Sequence, residues 1–364
     1  MNPSSKRYLA YPSSNGARIA TSSRGAVEVV SPSRLHFGLL SFGHRHERQY
    51  GGVGMMVDQP VLRVIIRPAP RTDWKYPIAW GERIWGDVVA SHGVSPDLRA
   101  RTADFVIRWL RHLGASTGAE FRQFEISLES APPQHCGLGA GTQLGLSVGA
   151  GLHAFFGLPQ PSPGELAESV GRGLRSAVGT YGFAQGGLIV ERGKRADEQI
   201  APLECRLQLP DAWRAVLIQP PSFCGLSGVA EQRAFDDLPP VPPDVTRRLW
   251  QEIHVRMLPA ARRGRFQAFS ESVYRYGRLA GMCFAALQGG PYNGPHLERL
   301  VNRIRAWGVC GVGQSSWGPT LFALAPDPAA AEALRQRLVA SSEEPAQILI
   351  SRLNHQGARI RDFK

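Results

Sequence analysis

Apolar and polar residues alternate at Phe124, Ile126 and Leu128 against Glu125, Ser127 and Glu129, the period-2 pattern of a half-buried strand. From Leu144 the period changes. Leu144, Val148 and Leu152 recur every fourth residue and mark one face of a helix. Similar patterns place strands at 27–29, 61–66, 188–191, 216–219 and 321–324, with 33–54 expected as a loop between the first two. Helices are expected near 104–113, 245–257, 266–287 and 296–307, and again after Asp327-Pro328. Ser162-Pro163-Gly164-Glu165 combines a capping box with proline at the first helical position, so a helix should run from there to about 171. The proline-rich stretch 238–244 reads as a surface linker. Strands and helices mix without strict alternation and without an internal repeat, which predicts an α+β fold of two domains.

Composition narrows the class of protein. A chain of 364 residues is long enough for two cores, and its 43% hydrophobic content is spread without an apolar run of membrane-spanning length. The first 25 residues are rich in Ser, Pro, Gly and Arg and lack an apolar core, so they read as a disordered extension rather than a signal peptide. Five scattered cysteines suggest reduced thiols and a cytoplasmic protein, and no CxxC pair or His/Cys cluster offers a structural zinc site. The net charge is +12, with Arg far above Lys. That excess suits nucleic acid, a polyanionic small substrate, or no partner at all if the arginines are merely solvated. No dense basic block or RNP-type aromatic motif favours nucleic acid.

Three glycine-rich segments carry the chemistry: 135–143, 171–187 and 311–320. The first joins the strand around Ile126 to the helix begun by Leu144. Such a loop lets backbone approach a ligand closely, and the helix N-terminus adds partial positive charge, so phosphate is the natural guest. Gly137, Gly139, Gly141, Thr142 and Gln143 are the candidate phosphate loop, the alternative being a turn whose glycines serve geometry alone. His135 is either a ligand contact or a capping residue, and Cys136 reads as a small filler. Arg34 and His36 alternate on an early strand. Arg34 is a candidate anion ligand, while His36 either protonates a leaving oxygen or is a hydrogen-bonded structural residue. Arg172 and Arg175 follow a helix end, where they either meet substrate or answer the helix dipole. Gln314, Ser315 and Ser316 offer hydrogen bonds to an anion, and Trp317 offers a stacking surface or a core contact. Asp58 is the best isolated carboxylate for Mg²⁺, against a purely structural role.

Neither GxxxxGK[ST] nor a GxGxxG following a strand is present. The segment Pro133-Gln134-His135-Cys136-Gly137-Leu138-Gly139-Ala140-Gly141 instead resembles the P-x-x-x-G-L-G-S-S loop of the GHMP kinase superfamily, with 311–318 matching its later glycine motif. The resemblance implies an N-terminal ribosomal-protein-like βαβ domain (26–204) and a C-terminal ferredoxin-like α/β domain (205–364). It also exposes departures. The kinase S-G-x-D aspartate corresponds here to Gly179 of Ser176-Ala177-Val178-Gly179, and Ala140 and Gly141 replace the loop serines. Arg34-Leu35-His36-Phe37, Gly51-Gly52-Val53-Gly54, Gly171-Arg172-Gly173 and Gly313-Gln314-Ser315-Ser316-Trp317-Gly318-Pro319-Thr320 together resemble the β-ribofuranosylaminobenzene 5′-phosphate synthase family.

That resemblance implies a decarboxylating glycosyltransferase of tetrahydromethanopterin biosynthesis. Its substrates would be phosphoribosyl pyrophosphate and 4-aminobenzoate, its metal Mg²⁺, with no organic cofactor. Arg34, His36, Arg172 and Arg175 would act at the reacting centre. The expected assembly is a homodimer with neither nucleic-acid nor membrane partners. The competing readings are an ATP-dependent GHMP small-molecule kinase and a basic nucleic-acid-binding protein.

Overall fold

The computed structural model describes residues 25–44, 47–69, 77–80, 83–90, 95–114, 123–220, 228–341 and 347–363. Apart from Gly25, the expected N-terminal extension lies outside them. The chain opens with two long antiparallel strands, β1 (Ala26–Ser41) and β2 (Tyr50–Pro68). Most of 33–54 is therefore strand rather than loop. Leu35, Phe37, Val53 and Met55 are buried there, but in a different core from the one that takes Val27, Val29, Leu62 and Val64. Register shifts between Ser31 and Ser33 and between His36 and Gly38 redirect the side chains and break the simple alternation.

A crossover follows. After β3 (Pro77–Trp80), β4 (Arg83–Ala90) runs through α1 (Pro96–His112) into the parallel neighbour β5 (Phe124–Ser130), a βαβ unit. Helix α1 starts at Pro96, earlier than the apolar pattern suggested, because the Ser95 side chain accepts from the Leu98 N–H and caps it. Next come α2 (Ala140–Phe155) and α3 (Pro163–Ser169), the latter with the expected capping box. Helix α4 (Val178–Gln185) was hidden in the glycine-rich run. β6 (Leu188–Glu191) joins β2, and β7 (Leu203–Leu207) joins β6.

The second half comprises β8 (Arg214–Gln219), α5 (Gly228–Asp237), α6 (Pro243–Gln251), a π-helical turn at Glu252–Met257, α7 (Leu258–Arg262) and α8 (Phe266–Met282). Then follow α9 (Ala285–Gln288), α10 (Pro295–Ala306), β9 (Val312–Gln314), β10 (Leu321–Ala325), α11 (Pro328–Ser341), β11 (Gln347–Arg352) and β12 (Arg359–Phe363). Among the described residues one sheet runs β12-β1-β2-β5-β4-β3 with β6 and β7 attached to β2; the other runs β11-β8-β10-β9. The smaller sheet is antiparallel throughout and has the strand order of a ferredoxin-like βαββαβ unit. β7 crosses position 205, and β12 returns to pair with β1. Within the stretch 238–244, Leu238 and Val241 are buried against Phe42, so that connection is anchored rather than a free linker.

Among the described residues three large apolar cores result, beside the small cluster of Phe42, Leu238 and Val241. One lies between the larger sheet and helices α1 and α2, one between the two halves, and one between the smaller sheet and α10 and α11. The central core matters for function. It fixes β1 against α8 and β10, and so sets the three glycine segments beside one another.

Candidate active site

The segments interlock through backbone contacts. Gly137 has φ +83°, and a Cβ there would collide with the Ser315 carbonyl, so glycine is required where the first and third segments cross. Ser315 is fully buried. Its hydroxyl donates to the Gly137 carbonyl at 2.7 Å and accepts from the His36 N–H at 3.0 Å. The Arg34 N–H donates to the Leu138 carbonyl at 2.9 Å, and the Ser316 N–H to the His36 carbonyl at 3.0 Å. Gly139 caps α2 in the left-handed conformation, where a side chain would press on Arg34. Among the described residues no side chain caps that helix start.

Around the loop stand Arg34, Arg101, Arg108, Arg172 and Arg175, with Asp104 the only acidic side chain among the described lining residues. Arg101 donates to Gln134 Oε1 at 2.9 Å and lies 3.4 Å from His135 Nε2. Arg172 rests on the Phe105 ring, 4.7 Å from its centroid. Its Nε is buried without a hydrogen-bond partner among the described residues. Burial, reinforced by Arg101, Arg108 and Arg175, holds its pKa down to about 10. A crowd of guanidinium groups beside one carboxylate suits an anion.

This basic pocket shares a wall, made of Arg34, Thr142, Gly171, Arg172, Leu174, Arg175 and Ser316, with a cavity of about 230 Å³. Phe235, Phe284, Trp317, Tyr292 and His36 line that cavity. Trp317 meets Phe284 and Phe235 edge-on, at 4.8 and 5.7 Å between centroids, and Arg175 lies over Phe235 at 5.0 Å. The space is larger than the ~150 Å³ that accommodates benzene in an apolar core. Burial, and then the charge of Arg34, push the His36 pKa well below that of a free imidazole, so the ring is neutral at neutral pH.

The sequence-derived candidates divide accordingly. Arg34, His36, Arg172, Arg175, His135, Gly137, Gly139, Gly141, Thr142, Ser316 and Trp317 all line the joined cleft. Three polar candidates are corrected. Ser315 faces inward as the cross-link described. Gln143 is fully buried and donates to the Gly179 carbonyl at 3.0 Å, tying α2 to α4. Gln314 reaches the wall, but its amide accepts from Asn293 N–H at 2.7 Å and donates to Ser316 O at 3.0 Å. His36 lines the cleft as a neutral ring with Nε2 3.0 Å from Ser176 Oγ. Asp58 lies apart from the cleft, in a depression where Asn354 donates to its carboxylate at 2.9 Å.

Sequence reasoning missed Arg101, Asp104 and Arg108, whose spacing on α1 marks one helical face, and the aromatic walls Phe235, Phe284 and Tyr292. Phe235 and Phe284 carry no local signal, because only the fold brings α5 and α9 to the loop. The position of the missing kinase aspartate is occupied by Gly179, whose Cβ would lie 3.2 Å from Thr142 Cγ2 and 3.6 Å from Arg34 Cδ.

A glycine-rich loop at a helix N-terminus thus lies between two α+β halves. Models of the GHMP kinase N-terminal domain and of the GHMP kinase C-terminal region match residues 104–186 and 257–344. Solved structures agree on the fold. The homoserine kinase from Cytophaga hutchinsonii superposes with a TM-score of 0.59 at 16% identity, covering 93% of this chain and 98% of that one. The mevalonate diphosphate decarboxylase from Enterococcus faecalis gives 0.62 at 10% identity, covering 94% and 100%. Among curated proteins, the β-ribofuranosylphenol 5′-phosphate synthase of Methanothermobacter thermautotrophicus is 27% identical, over 81% of this chain and 88% of its own length. That of Archaeoglobus fulgidus is also 27% identical, over 82% and 87%. Over about four fifths of its length the chain is similar to these synthases, and its two halves carry the matches to the GHMP kinase N- and C-terminal models. Among the described residues no helix is long and apolar enough to cross a membrane.

Proposed function

We propose that the protein joins the 5-phosphoribosyl group of phosphoribosyl pyrophosphate to the ring carbon of 4-aminobenzoate, releasing pyrophosphate and carbon dioxide. The observation that carries this reading is the shared wall: a pocket of five arginines opens directly into an aromatic-lined cavity. A substrate pair with a pyrophosphate at one end and an arene at the other suits both. The relatives' name, which specifies a phenol, supports 4-hydroxybenzoate as the alternative acceptor.

The chemistry asks little of a cofactor. The para amino or hydroxyl group donates electron density to the carbon bearing the carboxylate. That carbon bonds to the anomeric carbon as the C–O bond to pyrophosphate breaks, and the electron pair of the departing carboxylate restores the aromatic ring. The arginines stabilise the leaving pyrophosphate, and the aromatic walls hold the ring in line. Mg²⁺ binds through one or two carboxylates plus substrate phosphates. Asp104 is the carboxylate among the described residues lining this pocket; with its Oδ2 accepting from Arg108 at 2.7 Å, it has its other oxygen to offer an ion carried by pyrophosphate. Bound there, the ion would neutralise charge on the leaving group. No cluster of three or more metal-ligating side chains exists among the described residues. The kinase reading loses support at Gly179, which can neither orient a hydroxyl nor hold a metal. Tetrahydromethanopterin synthesis is the pathway that this product would enter.

Carboxyl-labelled 4-aminobenzoate and 4-hydroxybenzoate, each with phosphoribosyl pyrophosphate, test the proposal. Labelled carbon dioxide should appear from at least one, only when the donor is present. Release from neither overturns it.

Trp317 offers a finer check. Trp317→Ala should raise the KM for the arene several-fold, on the scale of about 1 kcal/mol for an aromatic pair, and leave the donor's KM nearly unchanged. Trp317→Phe should recover most of the loss. Equal effects on both substrates would mark the indole as packing only.

A further inference from the structure

Behind His36 lies a buried carboxyl that the reaction as written does not use. Glu191, at the end of β6, is fully buried. Its oxygens accept from the backbone N–H of Ala177 at 3.2 Å and of Gly193 at 2.9 Å, and it is hydrogen-bonded to the Ser176 side chain. The same Ser176 Oγ lies 3.0 Å from His36 Nε2 and accepts from the Val178 N–H at 3.2 Å.

A hydroxyl has one proton and two lone pairs. With Val178 on one lone pair, the remaining bonds of Ser176 can be arranged in two ways. If Glu191 is ionised, it can only accept. Ser176 then donates to it, and His36 Nε2 must carry the proton that fills the second lone pair. If Glu191 is protonated, it donates to Ser176, the serine proton turns to His36 Nε2, and the imidazole proton resides on Nδ1. The protonation state of the carboxyl thus dictates the tautomer of the imidazole.

We propose that His36, Ser176 and Glu191 form a proton relay, with Glu191 a positioning residue that stores a proton taken at His36 from the bound arene. This rests on the reading of the reaction given above. When the ring carbon bonds to the sugar, the para donor group becomes cationic and its N–H or O–H strongly acidic. That proton passes to His36 Nδ1, the Nε2 proton to Ser176, and the serine proton to Glu191. Loss of carbon dioxide makes the para group basic again, and the three protons return, so nothing is consumed. Among the described residues His36 is the only neutral base lining the aromatic cavity, the other ionisable side chains there being Arg34, Arg172, Arg175 and Tyr292.

The groups facing Glu191 allow it to change charge. Tyr181 of α4 and Tyr276 of α8 are neutral phenols, raised by burial and, to a lesser extent, by Glu191 itself; their hydroxyls donate to Ala201 O and Gly38 O, each at 3.0 Å. From β2 and β7 it faces Gly52 and Leu203, and Arg34 is the charge beside His36. Burial raises the Glu191 pKa to about 7 despite three hydrogen bonds that favour the anion, so both states are accessible at neutral pH.

The test is nitrogen-15 NMR of histidine-labelled protein between pH 5 and 9, without substrate, alongside kinetics. In the wild type, His36 should pass from the Nδ1–H to the Nε2–H tautomer as pH rises through about 7. Ser176→Ala and Glu191→Gln should each abolish that change. Both should lower kcat roughly 100-fold, the common scale for proton-transfer catalysis, with the donor's KM nearly unchanged. A His36 tautomer that ignores pH in the wild type, or that switches identically in Ser176→Ala, overturns the relay even if Glu191→Gln fails to fold. A relay that titrates in a protein releasing no labelled carbon dioxide would instead sink the reaction assignment.

Discussion

Arg172→Met is expected to make the unliganded protein more stable while removing most of its ability to use the phosphoribosyl donor. Arg172 is buried beside three other guanidinium groups, with its Nε unpartnered among the described residues. A cation whose pKa is lowered to about 10 on folding is destabilised in its charged form. That depression corresponds to a penalty on the order of 3 kcal/mol, since one pKa unit is about 1.4 kcal/mol. The sign follows from the direction. The penalty is present in full at neutral pH and is relieved only as pH rises through about 10. Methionine keeps an apolar contact with Phe105 and removes the charge, so the melting temperature should rise by a few degrees.

Bound pyrophosphate reverses the balance, because it supplies the counter-charge and accepts the orphaned N–H. Thermal unfolding with and without inorganic pyrophosphate should therefore show a ligand-induced stabilisation in the wild type that is much reduced in Arg172→Met. The kcat/KM for the donor should fall roughly 100- to 1,000-fold, the scale of losing one preorganised charge contact. A variant that is less stable and kinetically normal would show that Arg172 is a structural residue resting on Phe105.

Why the arginine pocket was only half legible in the sequence follows from what each residue does locally. The glycines were visible because backbone geometry demands them: Gly137 where two segments cross, Gly139 where a left-handed residue starts α2. Arg34, Arg172 and Arg175 stood near them in the chain. Arg101, Asp104 and Arg108 share one face of α1, yet the Asp104–Arg108 pair at 2.7 Å has the i,i+4 spacing of an ordinary solvated helix surface. Nothing in that spacing reports that the face turns toward a phosphate loop. Polar residues inside the loops misled for the opposite reason. Gln143, Gln314 and Ser315 have side chains suited to an anion, and the fold uses them to satisfy its own buried backbone groups. Glu191 closes the strand expected at 188–191, and only the fold brings Ser176 to it and His36 to Ser176.

The larger sheet was foreshadowed by the alternation around Ile126 and by Val61–Ile66, but β3, β4, β7 and β12 were not. β12 carries Arg359, Arg361 and Asp362, mostly exposed at the edge of the sheet beside β1, so its pattern lacks the buried positions that announce a strand. The long β1–β2 pair was missed because each strand serves two cores in turn, which no single period describes.

Restoring the kinase aspartate, Gly179→Asp, should not create a kinase and should suppress the native reaction. The new Cβ would sit 3.2 Å from the Thr142 methyl and 3.6 Å from Arg34 Cδ, tight enough that both neighbours must yield by a few tenths of an ångström. From there a carboxylate reaches the Arg34 guanidinium. Ion pairing would remove one of the five positive charges that define the anion pocket and place a negative charge where pyrophosphate must come, in a partly desolvated cleft where such repulsion is weakly screened. Synthase activity should fall roughly 100-fold, about 3 kcal/mol in the transition state, mainly through weaker use of the donor. Phosphoryl transfer needs more than this one group: a metal-bound nucleotide, a nucleophile held in line and a proton acceptor. Ala140 and Gly141 still lack the loop hydroxyls of the kinases. Incubation of Gly179→Asp with ATP, Mg²⁺ and a panel of small alcohols should yield no phosphorylated product. ATP-dependent phosphorylation by this single variant would mean that the cleft has retained the rest of the kinase machinery, and that the arginine pocket is a nucleotide site.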